Sequence, residues 1–476
     1  MATTSEPTSV TAGNAPIDAA TAPPALPLHV RMAYGLGDVA SQFVWTITSS
    51  YLALFYTDAV GFPAASVAAL MLIARVFDAV IDPFIGAMAE RTRTRWGRFR
   101  PWILFGMLPL AVLVVLAFTA PFGDGTLGFV FAVVTYGLLG ALYSAVNVPY
   151  GALSAVMSER TADRVSLNSW RMVGTNLGGI TLSLIILPMV VFFSGVGDGH
   201  TQTVHGYTLT AAVFAIASIP LFFAVFKTSK EIVSPERGAG ITLRSTVRVV
   251  FTNGPLMLLF VTLLFSLMSL FGRLSVVLYY YIYNVGNFGL VSVLMALAPA
   301  STIVGILLFA PLGRRFGKRN MLIVSLAAQA ATLGVLYFVD YRNAAVVIIV
   351  TVLYGLSSFA IPLSLAMVAD CVDYADDRTG IRSDGTSYAL TSFATKLASA
   401  SGGAAGLALL GAFGYVANRP QTSEALEGID LVVNVLPAIA AALAIVPMLF
   451  YRLNEREYAE IRNRLDTRSL QVPKGV

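Results

Sequence analysis

Three charged residues share one face of the second long apolar segment of this sequence. Arg75, Asp78 and Asp82 are separated by three and four positions, which keeps them within about 60° of one another on an α-helix. A carboxylate at the centre of a membrane helix costs roughly 2.5 to 3.5 kcal/mol unless it faces a cavity, a cation or a countercharge. The pattern therefore indicates a cation site, with Arg75 as a charge partner. A purely structural ion pair between Arg75 and Asp78 is the alternative, but it leaves Asp82 unexplained.

The first apolar segment carries a second polar face. Asp38, Gln42 and Trp45 follow one another at offsets of four and three, so one stripe of a helix offers a carboxylate, an amide and an aromatic ring. Hydrogen bonds and stacking from these groups are suited to a sugar. The alternative is that Trp45 is ordinary packing or lipid-facing surface.

Two cations lie deep inside other apolar segments. Lys396 stands near Ser392 and Thr395, and we expect it to pair with a carboxylate of the N-terminal half; a side chain that reaches back to the membrane surface is the weaker interpretation. Arg273 precedes a group of tyrosines at 279–283 and is a candidate for binding an anionic group of a substrate. For Arg273 a structural salt bridge, or a position beside an interfacial aromatic belt, is the alternative.

Composition indicates what kind of elements position these residues. A chain of 476 residues with 57% hydrophobic residues, 12% charged residues and a mean hydropathy of +0.75 is typical of a polytopic membrane protein. Runs of at least about 18 apolar residues can each span a bilayer. The sequence predicts an all-α integral membrane protein with twelve such helices, near 32–56, 64–89, 102–120, 126–157, 168–193, 207–226, 251–283, 287–312, 320–339, 344–372, 385–414 and 428–451.

Basic residues follow the even-numbered helices, most densely in the loops 91–100 and 314–319, whereas the odd-numbered loops carry only Arg342 and Arg419. Because cytoplasmic loops accumulate Lys and Arg, both termini are predicted to be cytoplasmic, in what we expect to be a bacterial inner membrane. This asymmetry accounts for the formal charge of +5, so no nucleic-acid partner is needed to explain it.

An internal repeat divides the chain. WGRFRPW after the second helix is similar to RRFGKRN after the eighth, and each is a basic turn around a glycine that leads into an apolar helix. We therefore predict two six-helix bundles, at 31–227 and 251–452, joined by a cytoplasmic linker at 228–250. A disordered cytoplasmic tail at 1–30 and a cytoplasmic C-terminal tail at 453–476 complete the predicted organisation.

Seven short motifs carry a resemblance to a known family. They are GxGD at 35–38, YTDAVG at 56–61, RVFDAVIDPFIG at 75–86, RTRTRWGRFRPW at 91–102, NVPYGAL at 147–153, LNSWRM at 167–172 and VADCVDYADDRTGIRSDG at 368–385. From about Arg31 to Tyr451 the chain resembles the melibiose-permease branch of the major facilitator superfamily, the glycoside-pentoside-hexuronide:cation symporters.

The resemblance implies a major facilitator fold and import of a sugar together with H⁺ or Na⁺ by alternating access between the two bundles. It implies no cofactor, and membrane lipid as the surrounding partner. In the residues that match the family, it implies cation binding by Asp78, Asp82 and Ser144, sugar binding by Asp38 and Arg171, and polar contacts in the same cavity from Lys396, Thr391 and Ser392. With the residues found above, the candidate substrate site comprises Asp38, Gln42, Trp45, Asn147, Arg171, Arg273, Thr391, Ser392 and Lys396.

Three positions depart from the family pattern. Sugar-specific members have an aspartate where this chain has Asn147 and an aromatic residue where it has Gly151, and the lysine of some members is replaced by Gly37. Losing a carboxylate lowers the negative charge available to a cation, while an amide still donates and accepts hydrogen bonds. Proton exchange at the two aspartates, or Na⁺ bound by them together with Ser144 and Asn147, are both physically sensible, with a slight preference for protons.

The remaining charges are candidates for gating. Arg95 and Arg98 of the basic loop are predicted to pair with Asp370 and Asp373 across the cytoplasmic face and to separate when the carrier opens inward; a solvated loop without a gating role is the alternative. Two other functions stay open, namely transport of a lysolipid or another amphipathic anion, and uncoupled sugar uniport. No nucleophile elbow, phosphate loop or metal-ligand cluster in the sequence supports an enzyme.

Overall fold

The computed structural model describes residues 25–158, 160–196, 201–232, 252–309, 312–380, 384–453 and 455–471. In these ranges the chain is built from helices, and apart from one isolated β-bridge between Thr94 and Gly97 no strand occurs. The all-α fold expected from the sequence is confirmed. Most of the predicted N-terminal tail, at 1–24, and of the predicted linker, at 233–250, lies outside the described residues.

Six helices form the N-terminal half. Glycines in the left-handed region follow the ends of two of them, with φ of 98° at Gly61 and 68° at Gly195, because a residue with a side chain adopts that conformation only at a cost. The helices are α1 (Leu28–Leu54), which continues as a π-helical turn (Phe55–Val60), α2 (Ala64–Arg91), α3 (Arg100–Ala117), α4 (Thr126–Val156), α5 (Thr161–Ser194) and α6 (Val204–Thr228).

The C-terminal half repeats this order. A further helix, α13 (Glu455–Gln471), lies where the sequence predicted a tail, and it packs against the end of α10. The six long helices before it are α7 (Gly254–Tyr279) with a π-helical turn (Tyr280–Asn284), α8 (Phe288–Phe309), α9 (Lys318–Phe338), α10 in two pieces (Ala344–Ser357 and Ala360–Thr379), α11 (Asp384–Ala412) and α12 (Ser423–Phe450, with a π-helical turn at Leu431–Val435). A single helical turn (Gly313–Phe316) precedes α9.

Ten helical segments of the described chain are long and apolar enough to cross a membrane, which identifies an integral membrane protein. α1 and α11 occupy the two other predicted positions, but they contain more polar residues, among them Asp38 and Lys396. The number of twelve spans therefore stays a prediction, and so do the boundaries of the two bundles.

Each of the two repeated basic turns contains a glycine with a positive φ. Gly97 and Gly317 have φ of 108° and 85°, and they precede α3 and α9. The Glu231 carboxylate accepts hydrogen bonds from the backbone N–H groups of residues 98–100 at 2.8 to 3.1 Å, and Glu455 accepts one from the first N–H of α9 at 3.0 Å. Glu231 follows α6, and Glu455, the first residue of α13, comes shortly after α12; each acid satisfies free N–H groups at the start of another helix. We call this end of the molecule the basic face and the other end the opposite face.

Glycine lets α1 and α5 approach closely. A Cβ on Gly35 would lie 2.7 Å from the Trp170 carbonyl oxygen. A larger residue would push the two helices apart, because a close-packed interior tolerates little added volume. This contact holds Asp38 of α1 against Arg171 of α5.

An apolar core joins the two halves at the opposite face. It contains Tyr51 and Tyr207 of the N-terminal half together with Tyr280 of the C-terminal half, all fully buried. Nearer the basic face, buried residues of the C-terminal half form a separate cluster that includes Leu322 and Met448. The halves are therefore packed against each other at the opposite face.

Candidate functional site

A cavity of about 300 Å³ lies between the two halves. Its size is at the lower end of the range of small-molecule sites. The cavity brings together all four residues predicted for the cation and several of those predicted for the substrate. Its polar wall comes from α1, α2 and α4 on one side and from α11 on the other, and includes Trp45, Thr48, Arg75, Asp78, Asp82, Tyr143, Ser144, Asn147, Ser392, Thr395, Lys396 and Ser399.

Asp82 and Lys396 form an ion pair across the two halves. Their side chains are 18% and 27% exposed, so the pair is reached by solvent. Oδ1 of Asp82 is buried and has no hydrogen-bond partner among the described residues. An unpaired buried acceptor costs free energy, and a bound cation or proton would remove that cost.

Asp78 has its countercharge within the same helix. Arg75 Nη1 lies 3.7 Å from Asp78 Oδ2, and the guanidinium carbon lies 5.1 Å from the centre of the Trp45 ring, a cation–π contact. Gly140 of α4 backs the carboxylate, because a Cβ there would overlap it. In the described chain, Oδ1 of Asp78 is also buried without a partner. Asp78 and Asp82 therefore each place, in the wall of one cavity, a carboxylate oxygen that has no hydrogen-bond partner among the described residues.

Asp38 is bound within the N-terminal half. Its Oδ2 accepts hydrogen bonds from Arg171 Nε at 2.8 Å and from the Tyr150 hydroxyl at 2.7 Å. Gly37 makes room for the aromatic ring, since a Cβ there would lie 2.5 Å from a Tyr150 ring carbon. The departure from the family pattern at Gly37 thus has a structural reason. Asp38 and Arg171 neutralise each other, and neither belongs to the cavity wall described above.

Three substrate candidates, Gln42, Thr391 and Arg273, also lie outside that wall. Gln42 accepts a hydrogen bond from Thr46 at 2.9 Å and packs against α5. Arg273 is 4% exposed and donates to Asn434 Oδ1 at 3.0 Å. The predicted stripe on α1 is divided because one flank of the helix faces α5 and the other faces the cavity. Substrate binding by Arg273 stays a prediction, since in this conformation it contacts an amide, a backbone carbonyl and a tyrosine ring.

The acidic gating candidates are held inside the C-terminal half. Asp370 pairs with Lys318 at 2.6 Å, and Asp373 accepts a hydrogen bond from the Tyr458 hydroxyl at 3.0 Å and lies 3.5 Å from Arg462. Burial raises the pKa of Tyr458 to about 12, so this hydroxyl remains protonated and donates. These contacts tie α10 to α9 and α13.

The basic gating candidates lie on the loop before α3. Arg95 stacks over the Trp96 ring at 4.2 Å. The backbone N–H of Arg98 donates a hydrogen bond to the carboxylate of Glu231, which follows α6. Pairing of this loop with Asp370 and Asp373 is not among these contacts. It stays a prediction for another conformation of the protein.

The sequence candidates did not include several residues of the cavity wall. Tyr143 lies four positions before Asn147, and Ser399 lies three positions after Lys396. Helical periodicity from the two known candidates would have found both. Thr48, three positions after Trp45, follows the same rule.

The chain is similar to known transporters over most of its length. Residues 33–455 match the sequence model of a family described as MFS/sugar transport protein. The glucuronide carrier protein homolog of Escherichia coli (strain K12) is 33% identical over 444 residues, which covers 91% of this chain and 94% of the relative. The isoprimeverose transporter of Lactiplantibacillus pentosus is 32% identical over 436 residues, which covers 91% of this chain and 90% of the relative.

Among solved structures, the crystal structure of the nucleoside transporter NupG is similar, with a TM-score of 0.62 and 12% identity, covering 89% of this chain and 99% of that chain. At this identity the likeness concerns the fold alone. It agrees with the major facilitator architecture predicted from the sequence.

Proposed function

The chain belongs to the MFS/sugar transport family, and from this premise we propose that it imports a sugar by symport with a cation. It is a membrane transporter and not an enzyme. The sugar is a glycoside, a pentoside or a hexuronide, and the coupling ion is H⁺ or Na⁺. The observation that carries the proposal is one cavity in which Asp78 and Asp82 each have a carboxylate oxygen with no hydrogen-bond partner among the described residues, while Lys396 reaches Asp82 from the other half.

The coupling cation competes with Lys396 for Asp82. When the ion binds, it takes over part of the negative charge of Asp82, and the Lys396 ammonium becomes free to donate hydrogen bonds to a substrate. Ser144 and Asn147 lie in the same wall and offer further oxygens to Na⁺. Because ion binding prepares a substrate contact, each ligand raises the affinity for the other by the same factor.

The sugar binds beside the ion in the same cavity. Trp45 offers an aromatic face to the CH groups of a sugar ring, and Asn147, Ser392 and Thr395 offer donors and acceptors to its hydroxyls. Lys396 completes this set after it leaves Asp82. The pair formed by Asp38 and Arg171 supports the site indirectly, because it fixes α1 against α5.

We assign the basic face to the cytoplasm, since cytoplasmic loops accumulate Lys and Arg. The halves are packed together at the opposite face, whereas Asp82 and Lys396 in the cavity are 18% and 27% exposed. We infer that this conformation is open to the cytoplasm and is the state that releases sugar and ion. Rocking of the two halves would open the cavity to the other side of the membrane.

Uptake into proteoliposomes tests the proposal. A radiolabelled glucuronide and radiolabelled isoprimeverose, the ligand classes in the names of the two relatives, are supplied with an inward gradient of H⁺ or of Na⁺. Accumulation above equilibrium that disappears when one gradient is dissipated supports symport and identifies the ion. Uptake that stops at equilibrium under every gradient would leave a uniporter.

The same assay separates a sugar from an amphipathic anion. Four charged residues in the cavity wall, Arg75, Asp78, Asp82 and Lys396, favour a polar ligand. Unlabelled sugar should therefore compete for uptake, whereas a lysophospholipid below its micellar concentration should not. The reverse pattern would favour the lipid-like substrate.

A further inference from the structure

The first helix of each half ends in a hexapeptide, and the two hexapeptides occupy equivalent positions. YTDAVG occupies 56–61 after α1, and YIYNVG occupies 281–286 after α7. Each lies at a π-helical turn and ends in a glycine with positive φ, 98° at Gly61 and 66° at Gly286. Asp58 therefore has the same position in the N-terminal half as Tyr283 has in the C-terminal half, three residues before the glycine.

These two residues bind each other across the opposite face. The Tyr283 hydroxyl donates to Asp58 Oδ2 at 2.5 Å, and the Tyr415 hydroxyl donates to Asp58 Oδ1 at 2.6 Å. The Asn418 side chain donates to the backbone carbonyl of Asp58. One buried carboxylate of the N-terminal half thus collects hydrogen bonds from two segments of the C-terminal half.

A neighbouring contact extends this cluster. Thr57 Oγ1 and the Tyr279 hydroxyl are 2.9 Å apart across the same interface, and the rings of Tyr279 and Tyr415 meet edge to face at 5.1 Å. We call Thr57, Asp58, Tyr279, Tyr283, Tyr415 and Asn418 the Asp58 cluster. Thr57, Asp58, Tyr279 and Tyr415 are buried, with Asp58 only 7% exposed, whereas Tyr283 is half-buried and Asn418 lies at the exposed edge of the cluster.

Asp58 differs from two other buried aspartates, whose hydrogen-bond partners lie in their own half. Asp38 is bound by Arg171 and Tyr150 of the N-terminal half, and Asp430 accepts a hydrogen bond from Asn434 of its own helix. Asp58, by contrast, is satisfied mainly by hydroxyls of the other half, and it has no ion-pair partner in the described part of the chain. Separation of the halves at this face would take away these donors.

We propose that Asp58 is the acceptor of a latch that holds the opposite face closed, and that the Asp58 cluster must come apart before the cavity can open to that side. Asp58 acts as a positioning residue, because it contacts neither of the proposed ligands. The inference rests on the alternating access proposed above. It adds a specific contact that is present when the opposite face is closed and absent when that face is open.

The chemistry suits a contact that forms and breaks in every cycle. Hydrogen bonds from hydroxyls to a carboxylate are short and strong in a dry interface. Once the mouth opens, water can replace the phenols at the carboxylate, so the open state carries no unpaired buried charge. An apolar seal alone would close the mouth without fixing the register of α1 against α7.

Access to the cavity is measured with a cysteine reporter. Cys371, the one cysteine of the sequence, is removed by Cys371→Ala. Ser275→Cys places a thiol in a recess that shares Trp45 and Arg75 with the cavity, four residues before Tyr279 on α7. Membrane vesicles of both orientations are treated with a membrane-impermeant maleimide, and Asp58→Asn and Tyr415→Phe are compared with the parent that carries only the Cys371→Ala and Ser275→Cys substitutions. Asp340→Asn is the matched control, since Asp340 is an exposed aspartate at the same end of the molecule.

We expect both latch variants to be labelled about tenfold faster from the opposite face and more slowly from the basic face, while the control keeps the parent rates. A tenfold change corresponds to about 1.4 kcal/mol lost from the closed state of this mouth. Faster labelling from both faces, as in a loosened protein, or an unchanged rate from the opposite face would overturn the proposal. The assay requires neither sugar nor ion, so a failure of the symport assay leaves its result readable.

Discussion

Lys396 of α11 pairs with Asp82 of α2, whereas Asp78, one helical turn earlier on α2, pairs with Arg75 of its own helix. The first pair connects the two halves, and the second lies within one half. A ligand that takes over Asp82 therefore replaces a direct ion pair between the halves, while a ligand that takes over Asp78 replaces an ion pair within α2. We expect Asp82 to link the ion to the conformational change, and Asp78 to contribute to the affinity for the ion.

Replacing the two aspartates one at a time tests this difference. Asp82→Asn should lower gradient-driven sugar accumulation at least about tenfold, a loss of about 1.4 kcal/mol of coupling, because ion binding no longer releases Lys396. Asp78→Asn should raise the ion concentration for half-maximal uptake about tenfold and still allow accumulation at saturating ion. Proteoliposome uptake over a range of ion concentrations measures both. Equal behaviour of the two variants would contradict separate roles.

The pair between Asp82 and Lys396 should also be measurable as a coupling free energy. Each single variant, Asp82→Asn or Lys396→Gln, leaves one charge without its partner, and each should lower the free energy of unfolding by about 1 to 2 kcal/mol, less than for a fully buried pair because solvent reaches both side chains. The double variant should lose about 1 kcal/mol less than the sum of the singles. Denaturant unfolding of the purified protein in detergent gives the four values, and strict additivity would show that the pair is uncoupled.

Asn147→Asp should strengthen Na⁺ binding. The substitution adds a third carboxylate to the cavity wall that holds Asp78 and Asp82, and an added negative charge stabilises a bound cation. We expect the Na⁺ concentration for half-maximal uptake at fixed pH to fall about tenfold, equivalent to about 1.4 kcal/mol. Asn168→Asp, at an exposed position of α5, is the control and should leave that concentration unchanged. A similar fall in both variants would point to a general charge effect.

Gly37→Ala should destabilise the N-terminal half. Its Cβ would lie 2.5 Å from the Tyr150 ring, which displaces the hydroxyl that binds Asp38, and such overpacking costs about 1 to 3 kcal/mol. Gly179→Ala is the matched helical control, because nothing lies within 4 Å of a Cβ there; alanine should leave stability unchanged or raise it by up to about 1 kcal/mol. Melting temperatures of the two variants separate the effects, and equal values would mean that the ring moves aside freely.

The energetic cost of buried charge made part of the site predictable from sequence. Asp78, Asp82 and Lys396 stood out because an unpaired charge in an apolar helix is expensive, and the three-residue spacing of Arg75 and Asp78 predicted the contact that the structure contains. The all-α fold followed from composition and apolar run length in the same way. These are local properties of a helix, so a single sequence carries them.

Contacts between distant segments were not predictable in that way. Asp58 meets Tyr283 and Tyr415 across 225 and 357 positions of the chain, and no local pattern indicates such a pairing. The spacing of Asp38, Gln42 and Trp45 predicts one helix face, but in the structure Asp38 and Gln42 contact α5 while Trp45 lies in the cavity wall. Which neighbour each side chain meets depends on where α5 and the cavity lie around α1.

The bond between Asp58 and Tyr283 joins equivalent positions of two copies of one fold. Two identical copies would bring aspartate to aspartate or tyrosine to tyrosine at this point, and neither arrangement sets a carboxylate acceptor against a phenol donor. The contact thus exists only between halves that have diverged, with the acceptor on one and the donor on the other. The same asymmetry favours pairing of an N-terminal bundle with a C-terminal bundle. Two N-terminal bundles, or two C-terminal bundles, would lack the complementary donor or acceptor at this point, so the hydrogen bond between Asp58 and Tyr283 helps to specify which bundles pair.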